Sequence, residues 1–162
     1  MVNLSPKLPP SRGIPADESL WLPKHYGSEI RDKGGIDSAI SWEIPEIIDF
    51  VFPRKYQPKY HEIACKFLEF LLEKEYVSKK EIRDFLHETG YSRSTLENKI
   101  IPKLVRFGIL KRERELVGKI DKKRRPLVLR ESLTFSSYLS KIANEWRRIV
   151  ETSRFKRRKS KH

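Results

Sequence analysis

From Pro58 onward, apolar residues and helix-capping motifs follow one another in an order that leaves few folds open. An apolar stripe at helical spacing predicts a first helix of about four turns; its members are Tyr60, Ile63, Ala64, Phe67, Leu68, Leu71 and Leu72. The capping box Ser78-Lys79-Lys80-Glu81 predicts a second, shorter helix that ends at Gly90. A second capping box, Ser94-Thr95-Leu96-Glu97, predicts a third helix that ends at Gly108. We expect Leu96, Ile100, Leu104 and Phe107 to face the core.

The chain after Gly108 changes from helical to strand-like patterning and then back again. Residues 109–116 and 127–130 predict two strands, which flank a basic loop containing Gly118. A last helix is predicted from about 134 to 153, within a segment 132–153; its apolar stripe is Phe135, Tyr138, Leu139, Ile142, Trp146, Ile149 and Val150. The expected fold is mainly α with a small β-hairpin and a long C-terminal helix.

Residues 1–57 differ in composition from the rest of the chain. Seven of the ten prolines fall there, so we expect an extended N-terminal arm. Its many aromatic and aliphatic residues do not fit the composition of a disordered segment. A short helix is predicted near 45–51, with Pro45 at its first position. We expect the arm to lie across the main domain or a partner, with residues 1–15 mobile.

Two short segments hold nearly all of the excess positive charge. Residues 111–125 contain eight basic and three acidic side chains, and residues 147–162 contain eight basic and one acidic. Together they account for 12 of the formal net charge of +13. Charge concentrated in this way favours a polyanion as the partner, because neutralising phosphates releases counterions.

The element order and one segment together resemble the winged helix-turn-helix family, as found in archaeal and bacterial transcription regulators. The resemblance covers about 58–130, and the domain is expected over 58–131. It is carried by Ser92-Arg93-Ser94-Thr95-Leu96, by Ile100-Ile101-Pro102-Lys103-Leu104 and by Phe107-Gly108-Ile109-Leu110-Lys111-Arg112. The resemblance implies that the helix at about 94–107 is a recognition helix for the major groove and that the hairpin is a wing at about 116–127.

The resemblance also implies which residues contact DNA. The recognition-helix residues are Ser92, Arg93, Ser94, Thr95, Asn98, Lys99 and Arg106, and the wing residues are Lys119, Lys122, Lys123, Arg124 and Arg125. Asn98 suits an adenine edge, and Lys99 or Arg106 suits guanine or a phosphate. The alternative is an ordinary solvated helix face beside a solubilising loop. Pro102 departs from the pattern, because a proline inside a helix lacks one amide; either the helix kinks there or its first turns are separate.

The C-terminal region has two expected parts. The basic tail 154–162 is expected to be disordered alone and to become ordered on a phosphate backbone of DNA or RNA; its cations are Arg154, Lys156, Arg157, Arg158, Lys159 and Lys161. The last helix either packs on its own domain or pairs with its twin in a homodimer; the dimer residues are then Tyr138, Leu139, Ile142, Trp146 and Ile149.

Other classes of function find little support in the sequence. His61 and Cys65 have the i, i+4 spacing of metal ligands, but two ligands do not make a zinc site. Neither a phosphate-binding glycine loop nor a nucleophile elbow is present, so we expect no enzyme, no cofactor and no metal. No stretch approaches the about 18 apolar residues of a membrane span. A single cysteine favours a reducing, cytoplasmic setting, at the nucleoid or ribosome. Few Gln, Cys and Met beside many charged residues favour a thermophilic, archaeal source.

Three functions therefore remain open. The first is a sequence-specific double-stranded DNA binder that regulates transcription. The second is an RNA- or ribosome-associated structural protein that uses the arm and the tail. The third is a winged-helix adaptor in the transcription or replication machinery.

Overall fold

Helices dominate the chain, and they begin and end where capping residues and prolines permit. The computed structural model describes residues 19–22, 41–115 and 125–160, and the backbone of 31–32 and 35–36. In chain order the elements are β1 (Arg31–Asp32), β2 (Gly35–Ile36), α1 (Ile44–Ile48), α2 (Pro58–Leu72), α3 (Lys79–Thr89), α4 (Arg93–Thr95), a π-helical segment (Leu96–Ile100), α5 (Ile101–Arg106), β3 (Leu110–Arg114), β4 (Leu127–Glu131) and α6 (Thr134–Lys159). The result is a mostly helical structure with an antiparallel β3–β4 hairpin and a long C-terminal helix. Among the described residues, no helix is both long and apolar enough to cross a membrane.

The first capping box is confirmed at the start of α3, and the expected glycine cap is present at its end. Ser78 Oγ accepts a hydrogen bond from the Glu81 amide at 3.4 Å, and the Glu81 carboxylate accepts from the Ser78 amide at 2.8 Å. The same hydrogen bond from Ser78 holds the pKa of Glu81 below its ordinary value. At the other end Gly90 has φ of 71°, the left-handed conformation expected of a glycine cap.

The second predicted capping box is wrong, because the next helix begins two residues earlier. Ser92 is its N-cap: the backbone there is extended, and Ser92 Oγ accepts from the Thr95 amide at 3.3 Å. Ser94 lies in the first turn instead. Glu97, which a box headed by Ser94 would place against the Ser94 amide, forms an ion pair with Arg93 at 2.9 Å. Two serines spaced by two residues offer alternative caps, and the backbone conformation selects Ser92.

The core lies between α2, α3 and the 93–106 helix, which we define as α4, the π-helical segment and α5 together. Its largest fully buried side chains include Phe67, Leu71, Leu96 and Leu104. Phe67 packs edge-on against Phe85 of α3, with ring centroids 5.4 Å apart. Leu72, expected to face inward, is 52% exposed because it stands at the last residue of α2.

The end of the N-terminal arm belongs to this core, so the expected boundary between 57 and 58 does not separate two packing units. Ile48, Val51 and Phe52 are buried in the same cluster as the residues of α2. The short helix predicted near 45–51 is α1, which ends earlier, at Ile48. The chain then turns so that Val51 and Phe52 reach the core, and Pro53 follows. β1 and β2 form a small antiparallel hairpin that the sequence did not predict.

The predicted hairpin is present, and a third chain segment joins it. β3 pairs antiparallel with β4, with Arg112 opposite Leu129. Val77, just before α3, exchanges two backbone hydrogen bonds with Leu129, of 2.8 and 2.9 Å. The hairpin follows the 93–106 helix in the chain, and it is also hydrogen-bonded to the connection between α2 and α3.

α6 extends further than expected and takes in most of the segment predicted to be a disordered tail. The helix continues through Arg154 to Lys159 instead of ending near 153. Arginine and lysine are good helix formers, and neither glycine nor proline interrupts the segment. Cations in the last turn also interact favourably with the negative end of the helix dipole.

Candidate nucleic-acid interface

The 93–106 helix occupies the place that the sequence assigned to a recognition helix. It follows α3 after the short turn 90–92, which contains the left-handed Gly90, and it leads after three residues into β3. Two successive helices are thus joined by a tight turn. Leu96, Ile100 and Leu104 anchor the second helix in the core as expected, whereas Phe107 is only half-buried.

A π-helical turn lies directly before Pro102 and separates the first turn, Arg93–Thr95, from the regular helix that begins at Ile101. In the π-helical segment the Ile101 amide donates to the Leu96 carbonyl, five residues back rather than four. Pro102 has no amide to donate, so the regular pattern of backbone hydrogen bonds is interrupted at this point in any case. The added residue also changes the inward face, so that Ile101 and Lys103 are buried together with Leu104.

The outward face of the 93–106 helix carries the expected polar residues. Asn98, Lys99 and Arg106 are exposed, while Thr95 is half-buried. Asn98 Nδ2 lies 3.3 Å from Ser94 Oγ, a hydrogen bond within one helix turn that orients the amide. Arg93 is committed to Glu97, and Ser92 Oγ caps the helix. Of the predicted recognition residues, Asn98 and Lys99 are thus the pair at the centre of the exposed face.

Lys103 was not predicted as a structural residue, yet it ties this helix to the arm. Its side chain is 5% exposed, and Nζ donates to the Val51 carbonyl at 2.8 Å. The ammonium group also lies over the Phe52 ring, 5.0 Å from its centroid. Its position seven residues after Leu96 places it on the buried face, but lysine is so seldom buried that its residue type predicts exposure.

The β3–β4 hairpin presents cations whose charge is partly offset. Lys111, Arg112 and Arg114 are exposed on β3. Glu113 forms ion pairs with Lys111 and, at 3.6 Å, with Arg130. The hydrogen bond from Lys111 holds the pKa of Glu113 below its ordinary value. Glu113 therefore neutralises part of the positive charge of the hairpin.

Most of the predicted wing contacts lie outside the described residues. These are Lys119, Lys122, Lys123 and Arg124. Arg125 is described and half-buried, and its carbonyl accepts from Arg114 Nη1 at 2.7 Å. This hydrogen bond joins the last residue of β3 to the residue two positions before β4.

The basic end of α6 displays its cations on a helix rather than on a coil. All five described tail cations are exposed: Arg154, Lys156, Arg157, Arg158 and Lys159. Arg154, Arg157 and Arg158 line one shallow groove, and Lys159 lies over the Phe155 ring. Lys161 lies outside the described residues. A helix fixes the spacing of these charges before any polyanion binds.

The apolar stripe of α6 is exposed. The helix therefore does not pack along its length on the described part of its own chain. Tyr138, Ile142, Trp146 and Ile149 are between 47% and 67% exposed, and Leu139 is half-buried. α6 has no buried side chain along its described length.

His61 and Cys65 form a structural pair in the core. His61 is 6% exposed, and its Nε2 lies 2.9 Å from the Pro45 carbonyl and 3.2 Å from Asp49 Oδ1. Burial raises the pKa of the Cys65 thiol to about 11, so the thiol stays protonated at neutral pH. Among the described residues, no group of three or more His, Cys, Asp or Glu is placed to hold a metal ion. The imidazole therefore bonds α2 to α1.

The arrangement offers three kinds of basic or polar surface: the outer face of the 93–106 helix, the hairpin and the end of α6. Each presents groups that can donate hydrogen bonds to phosphates or bases. Comparison with protein-family models, with curated proteins and with solved structures finds no match to this chain.

Proposed function

We propose that this chain is a sequence-specific double-stranded DNA-binding protein of the winged helix-turn-helix type and that it regulates transcription. The observation that carries the proposal is the exposed pair Asn98 and Lys99, at the centre of a helix that follows a short glycine turn. The body of that helix is held by Leu96, Ile100 and Leu104 in the core, so its outer face is a rigid surface. Rigid placement is what reading of base edges requires.

In this proposal the three surfaces have separate roles. Asn98 contacts an adenine edge and Lys99 a guanine or phosphate in the major groove. The hairpin contacts the backbone beside that groove through Arg112, Arg114 and its basic loop. The end of α6 contributes affinity without sequence preference, because its arginines and lysines neutralise phosphates. The bonding of Val77 to β4 supports the winged arrangement, since a short third strand stabilises the hairpin against the helices.

The first test is selection of bound fragments from a mixed pool of genomic DNA and total cellular RNA. It is done at about 150 mM salt, where non-specific binding by basic proteins is weakened. We expect one short duplex motif to be enriched. Replacing Asn98 and Lys99 together by alanine is expected to lower affinity for that motif about 100-fold, because two base contacts are lost.

A matched control removes the same side-chain types elsewhere. Lys59→Ala with Asn144→Ala deletes one exposed lysine and one exposed asparagine outside the 93–106 helix, and it is expected to leave the selected motif and its affinity unchanged. Enrichment of ribosomal or other structured RNA, unaffected by the Asn98 and Lys99 changes, would contradict the proposal and assign the function to an RNA-associated protein.

The basic end of α6 makes a separate prediction about salt dependence. Replacing Arg154, Arg157 and Arg158 by glutamine is expected to reduce the slope of log affinity against log salt by about 2.7, for specific and random duplexes alike. Titration at four salt concentrations measures this slope. The charge-matched control replaces the exposed Lys55, Lys59 and Lys66 by glutamine. Equal slopes for the two triple variants would show that the end of α6 does not touch phosphates.

A further inference from the structure

The apolar stripe of α6 has the spacing of a helix that pairs with another helix. Phe135, Leu139, Ile142, Trp146 and Ile149 follow one another at intervals of four, three, four and three residues. This alternation is the a and d pattern of a coiled coil, in which one seam faces a partner over its whole length. Trp146 is 66% exposed and Ile142 52%, so the described part of the chain leaves the seam open.

The rest of the described chain holds α6 only at its beginning. The Phe135 amide donates to the Gly108 carbonyl at 3.0 Å, and none of the side chains of α6, all of them described, is buried. A helix of 26 residues is about 39 Å long. In water a helix of this kind gains most of its stability from packing of its apolar face. A partner along the seam supplies that packing.

The charges of α6 are divided sharply between its two halves, and this division favours one direction of pairing with a second copy of the helix. Residues 147–159 hold seven basic side chains and one acidic, whereas residues 134–146 hold one of each. Two parallel copies place the two basic halves side by side, where they repel. Two antiparallel copies keep the two basic ends at opposite ends of the pair and also oppose the helix dipoles.

We propose that α6 pairs with α6 of a second copy of this chain in an antiparallel, two-fold symmetric arrangement centred on Ile142. Trp146 of one copy then faces Tyr138 and Leu139 of the other, and Ile149 faces Phe135. A symmetric interface of this kind uses the same patch on both copies. Aromatic side chains bury about 150–250 Å² each, so Trp146 and Tyr138 supply a large part of the about 800 Å² that a specific interface takes from each partner.

The distribution of cations favours a second copy over a membrane surface as the occupant. A helix that lies on a membrane carries lysine and arginine along its polar face, opposite the apolar stripe. In the half of α6 that holds Tyr138 and Ile142, the other residues are mainly serine, threonine, alanine and asparagine. Glu145 and its ion pairs with Lys141 and Arg148 lie beside Trp146. The cations lie at one end of α6 instead, and antiparallel pairing keeps the basic ends of the two copies far apart.

The pairing has a consequence for the basic ends. With Ile142 at the two-fold axis, residues 150–159 of each helix extend past the first turn of the other helix by about 15 Å. Each basic end then lies beside the body of the other copy, at the side where its Gly108 meets α6. The dimer therefore adds the cations of one copy to the surface of the other.

Sedimentation velocity of the full chain, freed of nucleic acid by nuclease and high salt, tests the pairing over a range of concentrations. We expect a reversible dimer. Trp146→Glu is expected to raise its dissociation constant at least about 30-fold, as loss of a central interface residue does. Asn144→Glu makes a comparable charge change on the opposite side of α6 and is expected to change the constant less than about threefold. Because both residues are exposed, circular dichroism should show both variants folded.

The direction of pairing is measured by the distance between spin labels attached at Arg154→Cys. Cys65 is buried and stays unlabelled. An antiparallel pair centred on Ile142 separates the two labels by about 36 Å along the axis, whereas parallel helices 8–10 Å apart keep them within about 25 Å. A long distance supports the proposal, and a short distance overturns it.

Two further outcomes also overturn the proposal. One is a monomer at every concentration. The other is a monomer whose Trp146 inserts into vesicles of anionic phospholipid, which assigns the apolar face to a membrane surface. A dimer that Trp146→Glu leaves intact would place the interface elsewhere and would equally contradict the pairing of α6.

Discussion

Replacing Phe67 by alanine is expected to lower the free energy of unfolding by about 3–5 kcal/mol. Phe67 is fully buried, and its ring contacts Phe85 and Phe70, with centroids 5.4 and 6.3 Å away. The substitution removes the packing of α2 against α3 and leaves a cavity that the surrounding helices fill only in part. Urea denaturation followed by circular dichroism measures the change.

Leu72 supplies the control for this prediction on the same helix. It belongs to the same apolar stripe in the sequence, but its side chain is half exposed at the end of α2. We expect Leu72→Ala to lower the free energy of unfolding by less than about 1 kcal/mol, because little apolar surface is lost from the core. Equal effects at the two positions would contradict the packing of α2 described above.

Gly108→Ala is expected to lower the free energy of unfolding by about 3 kcal/mol, from two causes. The backbone at Gly108 has φ of 75°, where a side chain adds strain. A Cβ atom at this position would also lie 2.8 Å from Thr134 Cβ and 3.0 Å from the Phe135 amide nitrogen. The first turn of α6 must move to make room. Thermal and urea denaturation of the variant measure the loss.

Gly90 separates the two causes, because it has the strain without the close contact. Its φ is 71°, and nothing lies within 4 Å of an added Cβ. Gly90→Ala is therefore expected to lower the free energy of unfolding by only about 1 kcal/mol. If the two glycine variants lose the same stability, then the seating of α6 on Gly108 is not as described.

The presence of the helices was predictable from the sequence because residues close together in the chain determine it. The residues at which the helices begin and end were harder to predict. The capping box at Ser78 and the glycine at Gly90 act within a single turn, and both are as expected. The start of the next helix was misassigned because Ser92 and Ser94 are equally good caps by composition. The end of α6 was placed too early, since a run of cations was interpreted as a solvated tail although arginine and lysine favour helix.

The candidate interface was only partly predictable, for reasons of a different kind. Exposure of Asn98 and Lys99 follows from helical periodicity alone. Burial of Lys103 depends on a carbonyl 52 residues away in the chain, which no local pattern reveals. Pro102 marks the place where regular helical bonding is interrupted, but the sequence did not predict the π turn that precedes it. Sequence periodicity also gives no measure of how much of the α6 stripe the rest of the chain covers.

The bond from Lys103 to Val51 determines where this chain can be shortened. A fragment that begins at Pro58 lacks Ile48, Val51 and Phe52, which fill the core beside α2. It also lacks the Val51 carbonyl, which accepts a hydrogen bond from Lys103, and the Phe52 ring over which the ammonium group lies. Burial of a cation costs more free energy when it loses a hydrogen bond of this kind. A fragment that preserves the 93–106 helix in its present setting therefore includes residues 44–52, and this end of the N-terminal arm is part of the folding unit.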